Sequence, residues 1–427
     1  MHIAWLGKKS PFCGNVTYGR EITNALLDRD YQVSFLHFSQ SQNSYEHHRE
    51  YQQHHHRWLE RPRRPHSRIN EMTGLPQTSS EITPPYNDGA CSDRWSNCHE
   101  IPLPFIYKSQ VYTIPTLKSS KVLLRSLAQL KPDLVHASLT LSPLDFLLPD
   151  ICEELDIPVV ATFHPPFDSK IRNLKSSTQY LTYQLYAPFL ARYDRVIVFS
   201  EIQRELLIKL GVPGDRVVII PNGVDECKYS PGYSSLKYQL RAKKLFVYQG
   251  RIAAEKNIEA LLKAWKIVNL GDDCQLLIVG DGPIRSSLQP HYGKEHNITW
   301  LGFVADEVQR IDILRAADVF ILPSLVEGLS ISLLEAMSCG VACLATDAGA
   351  DGEVLQDGAG VVLDTQGVTA QLKILLPLFH NHPEMTNLLG NKARQRVLER
   401  YTLRQNITKL ERLYSEIANK QLIINNQ

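Results

Sequence analysis

No stretch of the sequence reaches the roughly 18 uninterrupted apolar residues that a bilayer-spanning helix requires, because even the leucine-rich segments carry Lys or Arg every few residues. A membrane-spanning chain is therefore not expected, whereas one that is soluble or lies on a surface is. An excess of either charge is also missing, with 46 Lys and Arg against 45 Asp and Glu for a formal +1. No overall field draws such a chain to nucleic acid, so any electrostatic attraction has to come from local patches. The eight cysteines are scattered over 427 residues without paired spacing. That pattern suits reduced thiols in a cytosolic protein better than a disulfide framework. The opening "MHIAWLGKKSPFCGN" lacks the charged-then-apolar order of an export signal, and it reads as a first core strand.

A hydrophobic content of 43% over this length is enough to bury two cores. Short apolar runs alternate with helical patterns: "HIAWLG", "QVSFLHF", "LVHAS", "PVVATFH", "RVIVFS" and "VVIIP", then "LFVYQG", "QLLIVGDG", "ITWLGF", "VFILPS" and "VACLAT". Continuous apolar strands each followed by a helix signal indicate α/β structure with parallel sheets covered on both faces. A single eight-stranded barrel would use about 250 residues, and these strands are too many and are split by a break. The break, "DECKYSPGYSSLKYQLRAKK", is polar and turn-rich between Asp225 and Lys244, and it reads as an interdomain linker. The expected domains are 1–235 and 243–400, followed by a C-terminal segment 401–427. From about Met385 to Lys420 the pattern is helical, with Leu388, Ala393, Val397, Leu410 and Leu413 as apolar positions.

Residues 41–100 fit neither domain, being polar, Pro-punctuated and holding six of the 15 His between His47 and His66. They read as a mobile insertion in the first domain. His54 to His56, Cys91, Cys98 and His99 invite a zinc reading, but their spacings match no established site.

Three places carry chemistry. In "YQGRIAAEKN", Gly250 ends a strand, Arg251 follows, and Lys256 falls near the next helix start. Arg, Lys and a helix N-terminus converging on one place can bind a diphosphate, although two surface cations on a loop would look the same. "IVGDGP" supplies a second glycine turn at Gly280 and Gly282 that is weak evidence alone. In "PSLVEGLSISLLEAMSCG", Glu327-Gly328-Leu329-Ser330 lie on a loop at the mouth of the sheet and Glu335 a turn or more inside the following helix. Open α/β sheets bind ligands at the carboxyl ends of their strands. A glycosidase pair of carboxylates about 5 to 10 Å apart stays open on this pattern.

The G-R-x4-K, G-D-G-P, "RAADVFILPS", E-x7-E and "GADGEVLQDGAGVVL" elements, with "PNGVD" at 221–225, "TFH" at 162–164 and an N-terminal glycine loop, resemble the retaining nucleotide-sugar glycosyltransferases of family 4. The resemblance implies a GT-B fold, with two Rossmann-like doubly wound parallel-sheet domains facing a central cleft and a C-terminal helix returning to the first. It implies a UDP-sugar donor, with Arg251 and Lys256 on the diphosphate, Glu335 on the ribose and Glu327 on the transferred sugar. The same resemblance implies that backbone around Gly328, Leu329 and Ser330 adds hydrogen bonds, that Phe303 and Val304 line the base, and that His164 lies beside the reacting sugar. By the same resemblance Gly14 with Asn15 corresponds to the N-terminal phosphate loop, where relatives often have two glycines. The resemblance calls for no metal and no cofactor, and Asp28-Arg29-Asp30, although a D-x-D, is expected at a helix end.

Within that family the first forty residues resemble the digalactosyldiacylglycerol synthases of cyanobacterial type. This implies transfer of galactose from UDP-galactose to monogalactosyldiacylglycerol by a cytoplasmic protein peripheral to a membrane. A glucosyl- or mannosyltransferase acting on a polysaccharide, another glycolipid or a soluble glycoside is the rival, and a non-catalytic sugar-nucleotide binder a second. A glycogen phosphorylase would need a pyridoxal lysine and a much longer chain. Two stretches suit an anionic membrane. "LKSSKVLLRSLAQLK" sets Lys118, Lys121 and Arg125 opposite Leu123, Leu127 and Leu130. "SKIRNLKSSTQYLTYQLYAPFLARYDR" mixes Lys170, Arg172 and Lys175 with Tyr180, Tyr183, Tyr186 and Phe189. Either also suits an ordinary helix covering a sheet.

Overall fold

The computed structural model describes residues 1–10, 13–39, 95, 98–109, 111–166 and 174–425. His54 to His56 and Cys91 of the expected insertion, and Lys170 and Arg172, lie outside them. The described strands are β1 His2–Gly7, β2 Gln32–Phe38, β3 His99–Leu103, β4 Phe105–Lys108, β5 Thr113–Pro115, β6 Leu134–Ser138, β7 Val159–Thr162, β8 Arg195–Val198 and β9 Val217–Ile219. They continue as β10 Lys244–Gln249, β11 Cys274–Val279, β12 Ile298–Gly302, β13 Val319–Leu322, β14 Ala342–Thr346 and β15 Val361–Leu363. The longer helices are α1 Gly14–Leu27, α2 Ser119–Leu130, α3 Leu144–Glu154, α4 Leu174–Leu190, α5 Glu201–Lys209 and α6 Ile258–Val268. After these come α7 Glu307–Ala316, α8 Ile331–Ser338, α9 Asp351–Leu355, α10 Val368–Asn381, α11 Pro383–Arg400 and α12 Leu403–Asn425.

The strands form a seven-stranded sheet in the order β3-β2-β1-β6-β7-β8-β9 and a six-stranded sheet in the order β12-β11-β10-β13-β14-β15, with β4 and β5 pairing separately. All the pairings of the six-stranded sheet are parallel. Its order places the first strand, β10, in the middle with the chain running outward on either side, the doubly wound arrangement of a dinucleotide-type fold. The strands read as unbroken apolar runs because helices cover both faces. Ile3 to Trp5 in β1, Leu245 to Tyr248 in β10 and Val319 to Ile321 in β13 are wholly buried. Two compact units divide the chain, Met1–Val160 and Ala161–Gln427.

In the first unit, α2 turns Leu123 and Leu127 into the core and leaves Lys118, Lys121 and Arg125 exposed. Its apolar face is therefore engaged by protein, and only its basic face is open. His99 and Glu100, placed in the insertion by composition, pair with Ser34 and Phe35 in β3. In the second unit, two of the four aromatics that α4 was expected to offer an interface turn into the core, while Tyr180 and Phe189 are half-buried. Tyr183 and Tyr186 are buried, and the Tyr183 hydroxyl donates to the Pro165 carbonyl at 2.9 Å and accepts from Gln203 Nε2 at 2.8 Å. These rings are core. Of the apolar positions expected in the C-terminal helices, Ala393, Val397, Leu410 and Leu413 are buried but Leu388 is 56% exposed. At the start of α12, Thr402 bridges to Val224, and the Leu403 N–H donates to the Val224 carbonyl at 2.9 Å. No helix among the described residues is long and apolar enough to cross a membrane.

Candidate active site

In the six-stranded sheet, the neighbours of β10 are β11 and β13, so the winding reverses between β10 and β13. Loops leaving the carboxyl ends of two strands at such a point diverge and open a crevice. The loop after β10 carries Gly250 and Arg251, and the loop after β13 carries Glu327.

Backbone packing shapes the first loop. The Gly250 N–H donates to the Val279 carbonyl, and Ile252 N–H to the Asp281 carbonyl, both at 2.9 Å. A Cβ at Gly280, whose φ is +136°, would lie 1.9 Å from the Gly250 oxygen, and one at Gly282 2.2 Å from the Ile252 oxygen. Only glycine lets the two turns meet, so the G-D-G-P element positions Arg251 as much as it offers backbone to a ligand. The Arg251 guanidinium donates to Glu255, and its carbonyl accepts from the Tyr248 hydroxyl at 2.8 Å. Lys256 lies in a single 3-10 turn, Ala254–Lys256. Asn257, at φ +50°, ends that turn before α6 begins at Ile258.

The second loop is held from three sides. Glu327 is buried, and its Oε1 accepts from Lys256 Nζ at 2.5 Å and from Ser324 Oγ at 2.8 Å. Next to it the Ala348–Gly352 turn packs against the loop: the Ala350 N–H donates to the Gly328 carbonyl at 2.7 Å. A Cβ on Gly349, at φ +61°, would come within 2.3 Å of the Glu327 oxygen. Asp351 is buried and accepts the Ser330 N–H at 2.8 Å; burial and the Glu327 carboxylate push its pKa well above the usual carboxylate range. From the third side, Asn222 Nδ2 donates to the Leu329 carbonyl at 2.8 Å, and the His164 carbonyl lies 3.4 Å from where a Gly328 Cβ would stand. Ser330 caps α8 by accepting the Leu333 N–H at 3.3 Å.

Glu335, in the second turn of α8, is buried and joins a different set of groups. Its Oε2 accepts from Gln249 Nε2 at 2.8 Å, and its carboxylate hydrogen-bonds Tyr229. Burial, then the Glu335 carboxylate, push the Tyr229 phenol far up. Glu327 is thus held by Lys256 and Ser324, and Glu335 by Gln249 and Tyr229.

The structure thus brings together Gly250, Arg251, Lys256, Gly282, Glu327, Gly328, Leu329, Ser330 and His164 through direct contacts or adjacent loops, and carries Glu335 on the helix these loops start. After β12, Phe303 is 41% exposed and Val304 is buried, its carbonyl accepting from Arg310 at 3.1 Å. The His164 ring lies 5.2 Å from that of Phe199. In the first unit, Gly14 opens α1, and a Cβ added there would meet nothing within 4 Å. Asn15 instead ties α1 to the end of β6: its Nδ2 donates to the Leu139 carbonyl at 3.1 Å and its Oδ1 accepts from Ser138 Oγ at 3.0 Å. Asp28 and Asp30 terminate α1, with Asp30 at φ +61°. Sequence reasoning missed Asp351, Asn222, Gln249 and Tyr229 as site residues. Three of them lie inside the motifs "PNGVD", "YQGRIAAEKN" and "GADGE".

The family described as Glycosyl transferases group 1 matches residues 237–396, and Glycosyltransferase Family 4 matches residues 69–227. The chain is a glycosyltransferase. Among its relatives is the Escherichia coli UDP-Gal:alpha-D-GlcNAc-diphosphoundecaprenol alpha-1,3-galactosyltransferase, 28% identical over 71% of this chain and 81% of that one. The Arabidopsis thaliana sulfoquinovosyl transferase SQD2 is 27% identical over 72% of this chain but 61% of its own length. The chain thus spans less than two thirds of that plant relative. Anabaena HepE in complex with UDP superposes with a TM-score of 0.69 at 16% identity over 97% of this chain and all of HepE. WaaG, a glycosyltransferase involved in lipopolysaccharide biosynthesis, gives 0.63 at 14% identity over 98% of this chain and 99% of WaaG. At these identities the likeness is one of fold, and the glycosyltransferase has the GT-B architecture of two Rossmann-like parallel-sheet domains.

Proposed function

We propose that this glycosyltransferase moves a hexose from a nucleotide-sugar to an acceptor with retention of configuration, and that the specific reaction is galactose transfer from UDP-galactose to monogalactosyldiacylglycerol. The carrying observation is the convergence of Arg251, Lys256 and Glu327 where the six-stranded sheet reverses its winding, with Glu335 one helical turn inside the adjoining helix. Arg251 and Lys256 then bind the diphosphate and act where charge develops on the leaving group. Glu327, oriented by Lys256 and Ser324, accepts from sugar hydroxyls, and Glu335, set by Gln249 and Tyr229, accepts from the ribose. The departing phosphate takes the acceptor's proton, so no protein nucleophile is required.

The donor assignment is supported by the E. coli relative named for UDP-Gal, and a lipid acceptor by the diphosphoundecaprenol in the same name. A glucosyl reading is the second candidate, since a HepE structure is described in complex with UDP-glucose. In this reading the reaction runs at a membrane surface that the protein binds peripherally. Incubating the full chain with labelled UDP-galactose, UDP-glucose or GDP-mannose, with and without monogalactosyldiacylglycerol vesicles, tests all of this. Lipid-soluble label from UDP-galactose supports it; label from UDP-glucose alone moves the assignment to the second candidate, and none from any donor ends the glycolipid proposal.

A further inference from the structure

Six of the twelve residues from Ile106 to Leu117 are large, apolar and exposed: Ile106 at 71%, Tyr107 at 49%, Val111 at 54%, Tyr112 at 45%, Ile114 at 40% and Leu117 at 98%. Single exposed apolar side chains are ordinary, but a contiguous group marks an interaction surface. Five of them belong to the antiparallel hairpin β4–β5, in which Tyr107 pairs with Ile114 and Lys108 with Thr113, and Leu117 follows it. The turn is closed by the Ser109 N–H donating to the Tyr112 carbonyl at 2.9 Å, and the Tyr107 and Tyr112 rings lie 5.5 Å apart. The hairpin is pinned to the start of α2, because Ser119 Oγ donates to the carbonyl of Pro104 just before β4 at 2.5 Å.

Charge identifies the occupant. No Asp or Glu occurs between Glu100 and Asp133, a stretch that includes Lys108, Lys118, Lys121 and Arg125. Lys118, Lys121 and Arg125 are exposed, while the apolar face of α2 is engaged in the core. Lys108 is half-buried, its ammonium 5.1 Å from the Phe105 ring centroid and donating to the Phe38 carbonyl at 2.8 Å. Acidic Asp150, on α3, lines with Lys121 and Leu147 the groove between α2 and α3. Exposed tyrosines and aliphatics bordered by cations that no acid in the segment offsets are suited to the headgroup boundary of an anionic bilayer.

We infer that the β4–β5 hairpin inserts into the surface of an anionic membrane, with the basic face of α2 lying against the headgroups. The inference rests on the membrane-surface acceptor proposed above and names the element that reaches the surface. It moves the contact from the amphipathic helix itself to the hairpin that precedes it.

Sedimentation of the full chain with phosphatidylglycerol-containing vesicles, and with phosphatidylcholine alone, tests it. The wild type is expected to bind the anionic vesicles and to release them as salt is raised. The variant Val111→Ser, Tyr112→Ser, Leu117→Ser alters only exposed side chains and should melt as wild type, yet bind at least about tenfold more weakly. Lys118→Glu with Lys121→Glu should abolish the preference for anionic lipid. No wild-type binding, or equal binding by the serine variant, overturns the proposal. A wild-type dimer that the serine variant dissociates, without vesicle binding, gives the patch to a second copy and also overturns it. Vesicle binding through the hairpin without glycolipid product leaves the docking surface standing and removes the galactolipid reading. Product with unchanged variant binding does the reverse.

Discussion

Replacing Lys256 by alanine should separate the structural from the chemical role of the site. Lys256 Nζ lies 2.5 Å from Glu327 Oε1, and the two side chains are 19% and 10% exposed. Removing one partner of a buried pair typically costs about 3 to 5 kcal/mol, because the remaining charge is left desolvated. Of these two partners Glu327 would keep only the Ser324 hydroxyl. The residual solvent access of both side chains puts the expected loss at the low end, about 3 kcal/mol, or a fall in apparent Tm of about 3 to 6 °C for a unit or chain of this size. Adding Glu327→Gln removes the stranded charge while leaving an oxygen for Ser324, so the double variant should recover most of that stability. Its transfer rate should remain at least about one to two decades below wild type, since the Lys256 charge is still missing and the Glu327 carboxylate assigned to the sugar is gone as well. Thermal denaturation and initial rates on the same preparations check both. A Lys256→Ala melt within about 1 °C of wild type, or a double variant no more stable than the single one, would refute the coupling.

Asp351→Asn keeps an acceptor for the Ser330 N–H but removes a carboxyl whose folded-state pKa burial raises. A proton held only by the folded chain gives stability that is full below the unfolded pKa and declines as pH rises toward the folded one. The melting temperature of Asp351→Asn relative to wild type should therefore climb from about pH 4 to pH 8; a constant difference sinks the argument. Gly349→Ala, at φ +61° and with its Cβ 2.3 Å from the Glu327 oxygen, should lower stability by at least about 2 kcal/mol and activity more than tenfold. Gly367→Ala, at φ +68° with nothing within 4 Å, is the control for backbone strain alone, and equal effects would remove the packing explanation. Transfer should continue in EDTA within about twofold of its untreated rate, since the charge on the leaving group is assigned to Arg251 and Lys256. A collapse restored by a divalent cation would overturn that assignment.

The central strands were legible because a parallel strand buried on both faces writes itself as an unbroken apolar run, as in Leu245 to Tyr248. β3 was not, because "HEIPL" is an edge strand with mostly open residues and was absorbed into the polar segment before it. The short hairpin β4–β5 was missed for a similar reason: Pro104 and Pro115 bracket it, and both of its faces are partly exposed. Periodicity found amphipathic helices but could not say what covers each face. Hence Tyr183 and Tyr186 looked interfacial and are core, and Leu388 looked buried and is open. In the site, the cations and glutamates were legible as motif members. The Lys256–Glu327 pair was not, since its partners are 71 positions apart and meet only because β10 and β13 are neighbours. Asp351, Asn222, Gln249 and Tyr229 act by holding loops and carboxylates, and spacing within one segment cannot reveal partners drawn from others.

The central claim is that the carboxyl ends of β10 and β13 hold the nucleotide-sugar, with Arg251 on the diphosphate and Glu335 on the ribose. Calorimetric titration of UDP and UDP-galactose into wild type, Arg251→Ala and Glu335→Ala tests it most directly. Arg251→Ala should melt close to wild type, Glu335→Ala should lose about 1 to 3 kcal/mol because Gln249 and Tyr229 are left unpaired yet stay folded, and each should bind about ten- to a hundredfold more weakly, the loss expected for one charged hydrogen bond. Wild-type affinity in both folded variants would contradict the account.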